Sequence, residues 1–287
     1  GLIWGASFMT IRIALDEVSV LSSVVHRVGW AALALWVIVW LRGLDIPAKP
    51  TVWFGFLVMG MLNNVLPFRL MAWGQLYIES GLTSILNAVT AIFGVLVAAL
   101  FFADERLTTM RLLGVALGFA GVVSVIGPEA LTGFDLRSTA QLAVLAGTLS
   151  YAFAGVWGRL RLSDLSPLVA AAGMLTGALV VMLPLTLLRE GHVDLPTTLR
   201  GTMAIAYYAL IATAGAYLLY YRVLAQAGSG NLMLVTLVIP PVAIALGSWL
   251  LDETLNPNAY IGFGFLALGL VVVNIGGRRG NRPAPVA

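Results

Sequence analysis

Asn63, Asn64, Asn87, Thr90 and Thr236 stand inside runs of apolar residues; Pro67 follows the asparagine pair, and Pro240 and Pro241 follow Thr236, about one helical turn later. Amides and hydroxyls give and take hydrogen bonds without ionising near neutral pH, and a proline leaves the carbonyl one turn before it without its backbone donor. Such a set can hold a small polar molecule but offers it no acid, base or nucleophile. Aromatic residues keep them company: Trp4 and Phe8, Trp73 and Tyr77, Tyr151 and Trp157, then Tyr207, Tyr208, Tyr217, Tyr220 and Tyr221. Their faces accept an ammonium or an apolar side chain. Tyr77 and Trp157, near run ends, suit a membrane interface, whereas Trp73 and Tyr217 lie farther in, where a ligand would meet them. Four arginines also fall within runs. Arg12 is four residues before Asp16 and can pair with it along one helix face, and Arg222 is near enough to a run end to reach water. Arg27 reads more readily as structural than as a ligand, while Arg69, on the interrupted run, suits either role. All thirteen acidic residues lie in connections or at run ends, there is no cysteine, and His26 has no metal or catalytic mate in the sequence. The expectation is therefore no enzyme, no metal and no cofactor.

The elements that must position these residues follow from composition. The chain is 60% hydrophobic and only 10% charged, with a mean hydropathy of +0.97, which marks an integral membrane protein rather than a soluble domain. Its pI of 9.4 comes from basic residues scattered singly between apolar runs. These are anchors at a lipid surface, and no nucleic-acid partner is expected. The runs divide at charges and turn residues into ten candidate spans: 2–15, 20–41, 52–78, 82–102 and 110–126, then 139–157, 168–188, 202–225, 231–251 and 259–275. They are long and continuous, so helices are expected and barrel strands are not. Gly1 is not an initiator and the first run is short, so the chain is expected to begin inside its first helix, with native residues before it and no cleavable signal peptide.

With a cytoplasmic N-terminus, Arg42, Lys49, Arg106, Arg111, Arg159, Arg161, Arg278, Arg279 and Arg282 all fall on the cytoplasmic side, against Arg137, Arg189 and Arg200 outside. That bias predicts both termini in the cytoplasm. The two halves also repeat. Asp104, Glu105 and Leu107 meet Asp252, Glu253 and Leu255 at a shift of 252 − 104 = 148, which also lays Gly114 on Gly262 and Gly121 on Gly269; Arg12 and Leu15 meet Arg159 and Leu162 at 147. Five spans per half is an odd number, so the halves must cross the bilayer in opposite senses. The predicted fold is all-α, with ten transmembrane helices as two inverted five-helix repeats, residues 1–127 and 139–277, and a cytoplasmic tail at 278–287. Helices 4 and 9 are equivalent at the same shift and carry marks at similar depth, a paired interruption of the kind that accompanies a central transport site. The glycine runs of helices 5 and 10 read as scaffold or dimer packing.

WGASF opening the first helix, Arg27 in the second, ADERL and LDETL after helices 4 and 9, and glycine-rich helices 5 and 10 resemble the EamA family of the drug/metabolite transporter superfamily, over essentially the whole chain. The aromatic spans resemble its YddG type of amino-acid exporter. That resemblance implies a basket of ten helices around a central cavity lined by helices 1, 3, 4, 6, 8 and 9, in a bacterial inner membrane, moving small metabolites out of the cell. On those helices, the residues expected to meet substrate are Trp4, Asn63, Asn64, Arg69, Trp73, Asn87, Thr90, Tyr151, Tyr217 and Thr236, with Pro67, Pro240 and Pro241 as hinges. The expected activity is export of an amino acid or similar zwitterion by alternating access. Other metabolites or drugs are the alternative cargo, and an intramembrane enzyme or a non-transporting scaffold are the alternative classes. The partners expected are a small-molecule substrate and lipid; the sequence does not fix the oligomeric state, and a monomer is compatible with it. Without a midplane carboxylate, movement is expected to run down a gradient with no obligatory proton exchange.

Overall fold

A backbone surrounded by lipid must satisfy its hydrogen bonds within its own segment, so each long apolar run coils into a helix. The computed structural model describes residues 1–103, 105, 107–126, 136–219 and 235–280. The described residues form ten helical rods and no strand: α1 Leu2–Ala14, α2 Val20–Leu41, α3 Pro50–Gly74, α4 Ser80–Phe101, α5 Thr109–Ile126, α6 Leu136–Arg161, α7 Pro167–Glu190, α8 Leu199–Leu219, α9 Val235–Leu251 and α10 Pro257–Gly280. Seven of these (α2, α3, α4, α6, α7, α8 and α10) are long and apolar enough to cross a bilayer, while α1, α5 and α9 contribute shorter apolar stretches. Tyr220, Tyr221, Arg222, Asp104, Arg106 and most of the 278–287 tail lie outside the described residues.

Local residues account for the ends. Ser19 caps α2 by accepting the Ser22 N–H, Thr198 caps α8 through Gly201 N–H, and Pro50 and Pro167 open α3 and α7 in a first turn that needs no donor from them. α7 stops at Gly191, whose φ of +80° favours a residue without a Cβ. The core is two large apolar clusters. One joins α2, α3 and α7 around Leu35, Phe56 and Leu175, and the other joins α4, α5, α6 and α10 around Ile85, Ile92 and Leu266; Tyr151 packs against both.

The glycine faces of α5 and α10 meet within the chain. A Cβ added at Gly114 would stand 2.7 Å from the Gly269 carbonyl, and one at Gly121 would stand 2.7 Å from that of Gly262. The two backbones touch where side chains would keep them apart. As the residue number rises along α5 its partner number falls along α10, so the helices are antiparallel.

Alternation of the rods gathers the described connections at two ends. Acidic residues dominate one. Glu253 accepts from Ser80 N (2.9 Å), Ser80 Oγ (2.7 Å) and Gly81 N (3.3 Å) at the start of α4. Glu17 accepts from Thr197 N (2.8 Å), Thr198 N (3.0 Å) and the Thr198 hydroxyl at the start of α8. Asp194 takes Ser19 N (2.8 Å) and Glu190 takes Ser19 Oγ (2.7 Å) at the start of α2. Here three helix N-termini, each with exposed N–H groups and a positive dipole end, are held by carboxylates from the other half of the chain.

Candidate functional site

Two helices depart from α geometry where the polar residues sit. In α3, residues Met61–Val65 form a π-helical turn. Pro67 removes one donor, and the Leu66 N–H bonds back to the Met61 carbonyl instead of that of Leu62. The Leu62 carbonyl then accepts Ser150 Oγ of α6 at 2.7 Å. In α8, the π segment runs Tyr207–Gly215, and the Ala212 carbonyl accepts Trp4 Nε1 of α1 at 3.0 Å. At the 148 shift, 61–65 falls on 209–213, inside the α8 segment. The paired irregularity therefore lies in α3 and α8. α4 is broken around Ala88 and Val89, between Asn87 and Thr90, whereas α9 stays helical through Pro240 and Pro241.

Between these segments a polar cluster forms. Asn63 Nδ2 donates to the Tyr217 hydroxyl at 3.1 Å and approaches Met174 Sδ of α7 at 3.7 Å. Nearer the acidic end, Arg27 Nε of α2 donates to Thr213 Oγ1 at 3.1 Å, and its guanidinium carbon lies 3.7 Å above the centre of the Phe68 ring. Thr213 donates in turn to the Tyr208 carbonyl at 2.7 Å, so its hydroxyl is aimed. Tyr151 and Tyr217 pack against the apolar cluster that holds Phe68, and Tyr208 lies behind Thr213. Arg27, Asn63, Tyr151 and Tyr217 are all partly exposed, while Thr213, Phe68 and Tyr208 are buried behind them.

The other expected residues are dispersed. Asn64, one residue from Asn63, is fully buried with neither amide atom hydrogen-bonded among the described residues. Arg69 is partly exposed and has no hydrogen bond or ion pair among the described residues. Trp73 rests on Tyr77 with ring centres 5.1 Å apart, and Thr90 Oγ1 is buried with no hydrogen-bond partner among the described residues. Pro67 and Pro240 are buried, and Pro241 helps Leu2, Ala6, Tyr207, Val242 and Leu246 line an apolar groove of about 490 Å³ between α1, α8 and α9. That groove shares no residue with the polar cluster. The Thr236 side chain lies outside the described residues. Arg27 was legible as an arginine with no acid nearby in sequence, yet its partner Thr213 is 186 residues away; nothing in the sequence singled out Thr213 or Met174. Among the described residues, no group of His, Asp and Glu could hold a metal.

Residues 1–127 and 138–275 each match the EamA-like transporter family. The chain is 25% identical over 279 residues to the uncharacterized inner membrane transporter YedA of Escherichia coli K12, covering 96% of this chain and 88% of that protein. It is 25% identical over 274 residues to a probable terminal-alkyne amino-acid exporter of Streptantibioticus cattleyicolor, covering 94% and 89%. It is 22% identical over 293 residues to a probable amino-acid metabolite efflux pump of Escherichia coli K12, covering 99% and 95%. A solved crystal structure superposes with a TM-score of 0.64 over 98% of both chains at 16% identity, a likeness of fold alone. With family matches spanning nearly all of both halves and apolar helices throughout, this multi-pass membrane protein belongs to the EamA-like transporter family.

Proposed function

We propose that this chain is a secondary transporter exporting amino acids, or similar small metabolites, across a bacterial inner membrane by alternating access. The observation that carries the reading is the cluster of Arg27, Asn63, Tyr151 and Tyr217, drawn from α2, α3, α6 and α8 and so from both halves of the chain. It offers hydrogen bonds, aromatic faces and one positive charge, which is how a zwitterion is held, and no group that would transform it. The names of two relatives, an amino-acid exporter and an amino-acid metabolite efflux pump, agree with that cargo.

Ten crossings in two inverted repeats, 1–127 and 139–277, around a central cavity supply the mechanism. Gly114 against Gly269 and Gly121 against Gly262 support the inversion: residues related by the 148 shift exchange partners across an antiparallel pair, as a two-fold axis in the membrane plane requires. The acidic end faces outward, and both termini with the 278–287 tail face the cytoplasm. The binding set is Trp4, Asn63, Asn64, Arg69, Trp73, Asn87, Thr90, Tyr151, Tyr217 and Thr236, to which the cluster adds Arg27. Pro67, Pro240 and Pro241 act as hinges, and a monomer suffices.

The test is efflux of labelled amino acids from proteoliposomes. The wild type releases at least one of them, Asn63→Ala and Tyr217→Phe slow that release roughly tenfold with membrane expression unchanged, and an imposed pH gradient drives no uphill accumulation. Absence of efflux for every amino acid would sink the reading.

A further inference from the structure

Arg27 has resources that its own surroundings leave unused. Its Nε is engaged by Thr213 and one face of the guanidinium is covered by Phe68. Its two terminal nitrogens have no hydrogen-bond partner among the described residues, and no carboxylate there pairs with it. A guanidinium inside an apolar bundle is costly unless its charge and its donors are matched. The fold nevertheless fixes its direction from two sides, since the stacked ring sets the plane and the Thr213 oxygen, itself held by Tyr208, sets the rotation. What remains is a planar fork of N–H groups, oriented but open, about two turns along α2 from its start at Val20. Two parallel N–H donors at fixed spacing match the two oxygens of a carboxylate.

We propose that Arg27 is the carboxylate anchor of the transport site, so that the cargo is a molecule bearing a single carboxylate; this rests on the transport reading given above. One fixed positive charge neutralises one carboxylate. A phosphate monoester would retain close to one uncompensated negative charge in the same apolar setting, and amines, amides and esters would leave the guanidinium unmatched. Asn63, Tyr151 and Tyr217 supply polar atoms and aromatic rings for the rest of the molecule.

Proteoliposomes loaded with a labelled mixture of the twenty L-amino acids provide the first test, with L-phenylalanine and L-phenylalaninamide, then L-leucine and L-leucinamide, as unlabelled competitors. The wild type is expected to favour each acid over its amide by roughly tenfold or more, the value of a charge-assisted pair. Arg27→Gln brings that ratio close to one, and Arg27→Lys, which keeps the charge without the fork, restores part of it. A purely structural arginine would lower efflux and leave the ratio unchanged. If Arg27→Gln does not fold, the wild-type ratio alone decides: amides competing as well as acids overturn the proposal. If the wild type releases no amino acid, the transport reading fails, and Arg27 is judged by thermal stabilisation of the purified protein. Sodium phenylacetate should then stabilise the wild type and Arg12→Gln but not Arg27→Gln, with phenylacetamide inert; equal shifts from both compounds would overturn the anchor.

Discussion

The two ends of the bundle are held by different chemistry. At the acidic end, Glu253, Glu17 and the pair Glu190 and Asp194 each reach across to a helix N-terminus in the opposite half, where several N–H and O–H donors converge on one carboxylate. At the arginine end, Glu105 takes Arg111 at 3.0 Å and stands 3.8 Å from Arg159, which lies over the Phe102 ring at 4.0 Å. Trp157 donates to the Gly55 carbonyl at 3.0 Å. Of those contacts, Arg111 with Glu105 stays within the first half, while Arg159 and Trp157 tie α6 of the second half to Glu105 and to Gly55 of α3. The N-termini of α3 and α7, which start at that end, have no side-chain cap. Carboxylates docked on helix starts gain from the dipole as well as from hydrogen bonds, whereas an exposed arginine pair gains little in water. The acidic end is therefore sewn between halves by carboxylates on three helix N-termini, whereas among the described residues of the arginine end the halves meet through the exposed Glu105 and Arg159 pair and the Trp157 bond to Gly55.

The largest effect expected comes from locking the acidic end across the two halves. The chain has no cysteine, so Ser22→Cys with Asp194→Cys, built where the Asp194 amide meets Ser22 Oγ at 2.9 Å, introduces the sole thiols. Oxidation should stop transport by roughly tenfold or more, as fixing a moving gate does, and reductant should restore it. The pair Glu105→Cys and Arg111→Cys, joining one helix hairpin, should leave flux nearly unchanged. Unimpeded flux through the oxidised first pair would mean that the acidic end does not open.

Next in size is removal of a single carboxylate. Glu253→Ala takes away three hydrogen bonds at the start of α4 and should cost about 1–2 kcal/mol, read as a lower unfolding midpoint in detergent. An unchanged midpoint would show that the contact carries no net energy.

A smaller effect follows from pH. Hydrogen bonds from the Thr198 hydroxyl and amide hold the Glu17 carboxyl down at about 2, and the Ser19 amide holds Asp194 below its ordinary range. Both values are depressed, so their stabilisation is complete above the ordinary carboxylate value of 4.5 for Glu17 and is lost as the pH falls from there through about 2. Unfolding midpoints should be flat from pH 7 to 5 and decline below, with a shallower decline in Glu17→Gln. The smallest change should come from Arg159→Ala at the opposite end, about 0.5 kcal/mol or less. A loss there equal to that of Glu253→Ala would erase the contrast between the ends.

The helices and most of their limits were legible in the residues alone, because lipid leaves a backbone no partner but itself and because charges, prolines and caps punctuate each run. The span 20–41 is α2 to the residue, and Arg12 pairs with Asp16 at 2.6 Å as their spacing demands. The residues also carried the duplication, since equivalent packing preserves equivalent residues. Packing between helices set which of two adjacent asparagines faces Tyr217 and which is buried, because the π turn in α3 rotates the helix by an amount that no 3.6-residue pattern records. It also decided that the α5 and α10 glycines pack within the chain, and that Arg27 rather than Arg69 joins the polar cluster. Those outcomes depend on helices more than a hundred residues apart meeting at one depth, and side-chain type along a single run carries no information about what stands across from it.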